Sequence, residues 1–219
     1  MSESSISIEN LQEKLNEGTT SHLLRHITIQ IRTNPGKRIA VSENERAPRG
    51  LRELFMVGYS RINDGQARKI RDEKYENYRS QVLGQLKNCK RDISKLISNM
   101  EKELDENGHE VVTDYSNPVT LRLQVSTPQE EDFWKVVELM DYGQVVLDNM
   151  YSTGLMPMEK KHQLTSTIKD SVEDLGKRIM SLSLAASRVR SSLTNAKSAD
   201  LDRTAPDSPS EIEPEVANG

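Results

Sequence analysis

Alternating hydrophobic and polar positions predict two β-strands. Residues 26–32 read HITIQIR, with three isoleucines on one face and polar side chains on the other. Residues 119–125 read VTLRLQV and alternate in the same way. Asn-Pro-Gly at 34–36 is predicted to stop the first strand, and Asn-Pro at 117–118 is predicted to form the turn before the second.

Apolar residues spaced three and four apart predict helices elsewhere. One helix is expected over 51–62 and a long one over 66–106, and the seam of the long helix follows a 4-3-4-3-4 spacing. The seam consists of Val82, Leu86, Cys89, Ile93, Leu96 and Met100. Residues 37–50 are expected to be mainly loop, because KRIAVS at 37–42 is a poor helix former.

Two further helices follow the second strand. Thr127 is the expected N-cap and Pro128 the first residue of a helix that ends near Gly154, and Pro157 begins the last helix. Together these elements predict an α+β fold that is predominantly α. It combines two short strands with a C-terminal antiparallel helical bundle.

The expected domain organisation is one folded unit with two tails. Residues 21–195 form the domain, with a basic N-terminal part at 21–106 and a helical part at 107–195. Residues 1–20 are expected to be a flexible arm. Residues 196–219 are rich in acids and proline and are expected to be a disordered tail.

Composition and motifs argue against several classes of protein. Aromatic residues make up 4% of the chain, and the single cysteine excludes an internal disulfide or a cysteine-rich metal site. We expect no signal peptide, no membrane span and a cytoplasmic location, because no apolar run is long enough.

No catalytic, cofactor or metal site is expected, and no small-molecule substrate. The four histidines (His22, His26, His109 and His162) lack metal-ligand spacing. Cys89 lies on an apolar seam, where a buried thiol is a poor nucleophile. Asp141 and Asp148, one heptad apart, are interpreted as part of a solvated helix face.

Charge is unevenly distributed along the chain. The formal net charge is −4, but residues 21–100, little more than a third of the chain, carry 17 of its 30 lysines and arginines. A basic half of this kind favours a polyanionic partner such as double-stranded DNA. Docking of the basic half onto the acidic half remains the alternative.

The strand at 26–32 is the candidate DNA-reading element. If it pairs with the same strand of a second copy, the ribbon fits the major groove, and Thr28, Gln30 and Arg32 face the base edges. The alternative is pairing inside the domain with 119–125, whose polar face is also Thr, Arg and Gln.

Basic residues that follow the strand are candidates for phosphate contacts. The candidates are Lys37, Arg38, Arg46, Arg49 and Arg52. They also fit an ordinary arginine-rich loop exposed to solvent, so they do not by themselves indicate DNA binding.

Residues 119–159 resemble the AcaB-like regulators of conjugation genes, a family found on integrating conjugative elements and conjugative plasmids. The shared features are the alternating strand that ends in Ser-Thr-Pro at 126–128, an aromatic-rich helix, Asp141-Tyr142, and Gly154-Leu155 before an acidic helix start. The order of strand, basic segment and GLRELF helix is also similar, and the resemblance covers most of 24–190.

The resemblance implies a homodimeric ribbon-helix-helix regulator of a mobile genetic element, with residues 26–32 as the ribbon. One departure is the predicted loop before Leu51, since a ribbon-helix-helix strand runs almost directly into its first helix. The rival hypothesis is a non-enzymatic helical scaffold of a conjugation or partition system.

Overall fold

The structure is a computed structural model that describes residues 24–43, 46–57 and 65–203, with the backbone alone at 57, 65–72 and 190–203. The predicted arm at 1–20 lies outside these residues. The described elements, in chain order, are β1 (Arg25–Ile31), α1 (Asn34–Ser42), α2 (Arg46–Arg52) with a π-helical turn (Glu53–Val57), α3 (Gly65–Glu106), β2 (Val119–Val125), α4 (Pro128–Ser152) and α5 (Met158–Arg203). The predicted α+β, mainly α fold is confirmed.

β1 and β2 form a two-stranded antiparallel sheet within one chain. Seven residue pairs run from Arg25 opposite Val125 to Ile31 opposite Val119. Isoleucines of β1 point inward, and Ile31 is completely buried. The hypothesis that β1 pairs with its own copy is therefore wrong, and the alternative of pairing with residues 119–125 is confirmed.

The C-terminal end of the second edge of β1 is also occupied. The Gln30 amide donates to Glu138 Oε1 at 3.4 Å, and the Arg32 amide donates to Asp141 Oδ2 at 2.8 Å. Both carboxylates belong to α4. A second copy of β1 that paired along this whole edge would have to displace them, so two amides at this end find their acceptors inside the chain.

Residues 34–36 follow the end of β1, as predicted, and they also begin a helix. Thr33 is the N-cap of α1, and its hydroxyl accepts a hydrogen bond from the Gly36 amide at 3.1 Å. Pro35 is in the first turn, where a residue without an amide hydrogen costs nothing. Together with α2, this helix corrects the predicted loop over 37–50 and brings the strand directly to its first helix.

The three longest helices pack into a bundle. Hydrogen bonds or ion pairs link Gln144 to Thr165 and Asp148 to Lys161, which shows that α5 runs antiparallel to α4. The bond from Arg178 to Gln85 and the contact of Cys89 with Ser171 show that α5 is also antiparallel to α3. α3 and α4 are consequently parallel, and the segment that carries β2 connects them.

The predicted seams supply the core of the bundle. Val82, Leu86, Ile93 and Met100 of α3 are buried, whereas Cys89 and Leu96 are half-buried. α4 is buried on most of its surface, including Phe133, Trp134, Met140, Leu147 and Met150. No helix in the described part of the chain is both long and apolar enough to cross a membrane.

The helix ends agree with most of the sequence predictions. Thr127 caps α4 through the Glu130 amide at 3.2 Å, as predicted, and Gly154 follows the end of α4 with a positive φ of 77°. α5 continues to Arg203, eight residues beyond the predicted end of the domain at 195. The remainder of the predicted acidic tail, 204–219, lies outside the described residues.

A buried carboxylate connects α1 to α5. Glu43, at the C-cap of α1, is 2% exposed, and its Oε2 has no hydrogen-bond partner among the described residues. The close approach requires glycine at 176, since a Cβ there would overlap with Oε2 of Glu43. Burial raises the pKa of Glu43, although the nearby Arg46 charge opposes the shift.

We predict that Glu43→Gln stabilises the protein at pH 7 and that this advantage disappears in acid. The pKa of Glu43 is raised in the folded chain above its ordinary value of 4.5. As the pH rises through this interval, Glu43 ionises more readily in the unfolded chain than in the folded chain, so the folded state loses stability. Urea unfolding of both proteins between pH 4 and pH 8 measures the difference. Glu103→Gln, at an exposed position of α3, is the control, and a constant difference at every pH would contradict the prediction.

Candidate nucleic-acid interface

The outer face of the β1–β2 ribbon consists of exposed polar side chains. Each strand contributes three of these side chains, at alternate positions. They are His26, Thr28 and Gln30 of β1 and Thr120, Arg122 and Gln124 of β2. The face contains no carboxylate, and its side chains include both hydrogen-bond donors and acceptors.

These side chains form cross-strand pairs. Thr28 lies opposite Arg122 at the centre of the ribbon, and Gln30 lies opposite Thr120. His26 lies opposite Gln124, and the His26 Nε2 and Gln124 Nε2 atoms are 3.3 Å apart. The ribbon therefore presents a continuous polar surface two strands wide.

Arg32 lies one residue beyond the end of β1. Its side chain is 23% exposed, and its Nη2 donates to Gln30 Oε1 at 2.8 Å. The Arg32 Nη1 atom lies 3.9 Å from Asp141 Oδ2. Of the three predicted base-contacting residues, Thr28 and Gln30 lie on the exposed face, whereas Arg32 lies beside Gln30 at the edge of that face.

Asp141 holds this end of the ribbon. The carboxylate is fully buried and accepts hydrogen bonds from the Arg32 amide, the Thr33 amide and the Thr33 hydroxyl, at 2.8, 2.8 and 2.7 Å. The interpretation of Asp141 as part of a solvated helix face is thus wrong. Asp148 is 40% exposed and binds Lys161 and the Tyr115 hydroxyl.

A second buried carboxylate holds the end of β2. Glu130 is fully buried, and its Oε2 accepts from the Ser126 amide at 2.7 Å. Its Oε1 accepts from Arg52 Nε at 3.3 Å, which ties α2 to this end of the ribbon. Nearby, Arg25 Nη2 forms an ion pair of 2.9 Å with Glu131.

The predicted phosphate-binding residues lie on α1 and α2. Arg46, Arg49 and Arg52 are exposed and three residues apart, which places them on one side of α2. Arg38 is exposed on α1, and Lys37 Nζ donates to the Asn117 carbonyl at 2.5 Å, just before β2 begins. Cations therefore lie near both ends of the ribbon, with Arg52 at one end and Lys37 at the other.

The structure also describes the other residues considered for chemistry. Burial, with a smaller contribution from Asp92, raises the pKa of Cys89 to about 11, so its thiol is protonated at neutral pH. His26, His109 and His162 are exposed and far apart in sequence, and His22 lies outside the described residues. Within the residues that the structure describes, no group of three or more His, Cys, Asp or Glu side chains could hold a metal ion.

Three exposed residues of β2 join the candidate site although they were not among its predicted members. Thr120, Arg122 and Gln124 show the same alternation in sequence as β1, so the pattern contained the signal. The sequence offered pairing of the two strands as one of two alternatives, and the structure shows that they share one ribbon. That pairing makes Arg122 the central arginine of the face.

Comparison with solved structures identifies a protein of the same fold. The crystal structure of selenomethionine-containing AcaB from uropathogenic E. coli superposes with a TM-score of 0.68. The two sequences are 16% identical, and the match covers 88% of this chain and 94% of that chain. No protein-family model matches this chain, and no curated protein sequence matches it.

We predict that Asp141→Ala destabilises the protein by about 3–5 kcal/mol, because two backbone amides and a hydroxyl lose a buried acceptor. Asp132→Ala, at an exposed position of the same helix, is expected to cost less than about 1 kcal/mol. Denaturant unfolding at pH 7 measures both. Equal losses in the two variants would show that Asp141 does not hold the strand.

Proposed function

We propose that this protein is a sequence-specific DNA-binding transcriptional regulator of a mobile genetic element, with a role in conjugation. The observation that carries the proposal is the exposed outer face of the ribbon, with its alternating polar side chains and no acid. A two-stranded ribbon has the width that the major groove admits. In this proposal the protein binds DNA in the cytoplasm and needs no catalytic group, cofactor or metal.

The side chains of this face match base edges in the major groove. Arg122 can donate two hydrogen bonds to guanine, and glutamines at 30 and 124 can each form two with adenine. Thr28 can contact a base edge or a thymine methyl group. Arg32, which donates to the Gln30 side chain, acts in this arrangement as a positioning residue for that glutamine.

Phosphate contacts come from the helices that flank the ribbon. Arg46, Arg49 and Arg52 share one side of α2, and the Arg52–Glu130 ion pair connects that helix to the end of β2. Long, exposed arginines so close to a reading face can neutralise phosphates and set the register of the protein on the duplex.

The regulatory role rests on the resemblance to AcaB-like regulators and on the shared fold. β1 leads directly into α1 at Thr33, as the strand of a ribbon-helix-helix protein leads into its first helix. The long loop that the sequence predicted between strand and helix, which would depart from that family, is not found between β1 and α1. The scaffold hypothesis has weaker support, since the polar face of β1 is open to solvent and is not buried between helices.

We predict different effects for base-contacting and phosphate-contacting arginines. Arg122→Ala should weaken binding to the preferred duplex by about 1–3 kcal/mol and leave a scrambled duplex nearly unchanged, because base contacts carry the preference. Arg49→Ala should weaken both duplexes alike and reduce the salt slope by about one unit. Fluorescence anisotropy titrations at several salt concentrations separate the two effects.

Arg91→Ala, on the exposed surface of α3, is the matched control and should change neither affinity nor salt slope. The preferred duplex is obtained by selection from a random pool. If neither Arg122→Ala nor Arg49→Ala alters binding, DNA recognition by this surface is excluded, and the scaffold hypothesis takes its place.

The proposed regulator acts as a homodimer that associates beside the ribbon. Val41 is 80% exposed at the end of α1, and Val119 is 36% exposed at the start of β2. Between them, Ala40 and Leu121 line an apolar recess next to the edge of β2, which no strand of the described residues covers. A second copy that covers this surface removes apolar side chains from water.

We predict that Val41→Glu converts the homodimer to a monomer without unfolding it, since the substitution places a charge in the apolar contact. Sedimentation velocity at micromolar concentration measures the change. Ser80→Glu, at an exposed position of α3, is the control and should leave the sedimentation coefficient unchanged. A wild-type protein that sediments as a monomer at this concentration would exclude the dimer.

A further inference from the structure

We propose that a single chain builds a complete, approximately twofold-symmetric reading ribbon in which Gln30 and Gln124 contact two symmetrically placed bases. This inference rests on the proposed DNA-binding function and specifies how the ribbon reads its target. The two halves are a β1–α1 unit and a β2–α4 unit. Each half consists of a strand that runs directly into a capped helix.

The strand register supplies the symmetry. Thr28 and Arg122 lie opposite each other at the centre, and three further residue pairs extend on either side. Gln30 lies two residues beyond the centre of β1, and Gln124 lies two residues beyond the centre of β2. A rotation of 180° about the centre therefore exchanges the two glutamines, both of which point outward and are exposed.

The ends of the two strands repeat the same local structure. Each strand ends in a buried β-branched residue, Ile31 or Val125. Two residues later comes a buried threonine N-cap, Thr33 or Thr127, which accepts from the amide three residues further on at 3.1 or 3.2 Å. Both helices have proline in their first turn.

Buried carboxylates complete the correspondence. The amide that follows each strand, from Arg32 or Ser126, donates to a fully buried carboxylate at 2.8 or 2.7 Å. Both acids belong to α4: Asp141 is the acceptor for the amide that follows β1, and Glu130 is the acceptor for the amide that follows β2. Each acid also lies within 4 Å of an arginine guanidinium.

Basic neighbours contact both glutamine side chains. Arg32 donates to Gln30 Oε1 at 2.8 Å, and His26 Nε2 lies 3.3 Å from Gln124 Nε2. The glutamines are therefore held in place before a duplex arrives, which lowers the entropy cost of contact. Since glutamine forms two hydrogen bonds with adenine, the two positions should prefer adenine on opposite DNA strands.

The geometry predicts the form of the target. Four residues of strand separate the two glutamines along the ribbon, or about 13 Å, which corresponds to roughly three or four base pairs. The twofold axis relates Gln30 to Gln124 on either side of the centre. The central pair is not symmetric, because it consists of two different residues, Thr28 and Arg122. The expected target is therefore an imperfect palindrome with an asymmetric centre.

The experiment selects duplexes from a pool with a random 20-base-pair segment, using the full chain and its variants. With wild type we expect enrichment of two mirrored adenine positions for each bound chain, so a bound homodimer selects this pair twice. Gln30→Ala should lose the preference at one of them by roughly 5- to 150-fold, and Gln124→Ala should lose it at the other. Gln163→Ala, exposed on α5, should leave the selected sequence unchanged.

Other outcomes identify which inference fails. If Gln30→Ala abolishes both preferences and Gln124→Ala neither, two copies of β1 form the ribbon, and the single-chain inference is overturned while DNA recognition stands. If both variants select the wild-type sequence, the glutamines do not contact bases, and the inference is again overturned. If wild type enriches no sequence, both the inference and the proposed function are excluded. Thermal melting of each variant verifies that it is folded.

Discussion

The buried carboxylate of Asp141 is the contact on which the arrangement of the sheet and the helices depends. A charge removed from water is costly unless hydrogen bonds and an ion pair compensate it. Three donors from Arg32 and Thr33 supply that compensation, with the Arg32 guanidinium close by. The carboxylate also occupies the space that a side chain at Gly36 would need. The end of β1, the start of α1 and the middle of α4 consequently form one unit.

That unit determines which surfaces of the ribbon remain available. α4 supplies the carboxylates of Glu138 and Asp141 to one edge of β1, and β2 covers the other edge. The edge of β1 that faces β2, and the C-terminal end of its other edge, are thereby paired within the chain. The apolar face of β1 packs on the helices, and its polar face is left open to solvent. A partner that approaches this polar face meets side chains.

Charges are separated in a way that suits a polyanionic partner. Two acids at the ends of the strands, Asp141 and Glu130, are buried and bound to amides, whereas Glu131 and Glu138 are half-buried beside β1. The exposed face carries Arg122, His26 and amide or hydroxyl side chains, and Arg52 of α2 contacts Glu130 at the end of β2. The net charge of the whole chain is negative, so this local arrangement and not the total charge supports the proposal of DNA binding.

Sequence periodicity alone determined both strands and the outward position of Thr28 and Gln30, because alternation places every second side chain on one face whatever the strand's partner. The Thr-Pro pair at 127–128 likewise determined the helix cap, and the spacing of apolar residues determined the buried seam of α3. Both features depend on residues that are close together in the sequence. The equivalent cap at Thr33 is equally local, but the Asn-Pro-Gly that follows it predicts only the end of the strand and not the start of a helix. Only the tertiary structure decided the partner of β1 and the role of Asp141. Their contacts join residues about a hundred positions apart, and an alternating strand or a helical aspartate fits several such partners equally well.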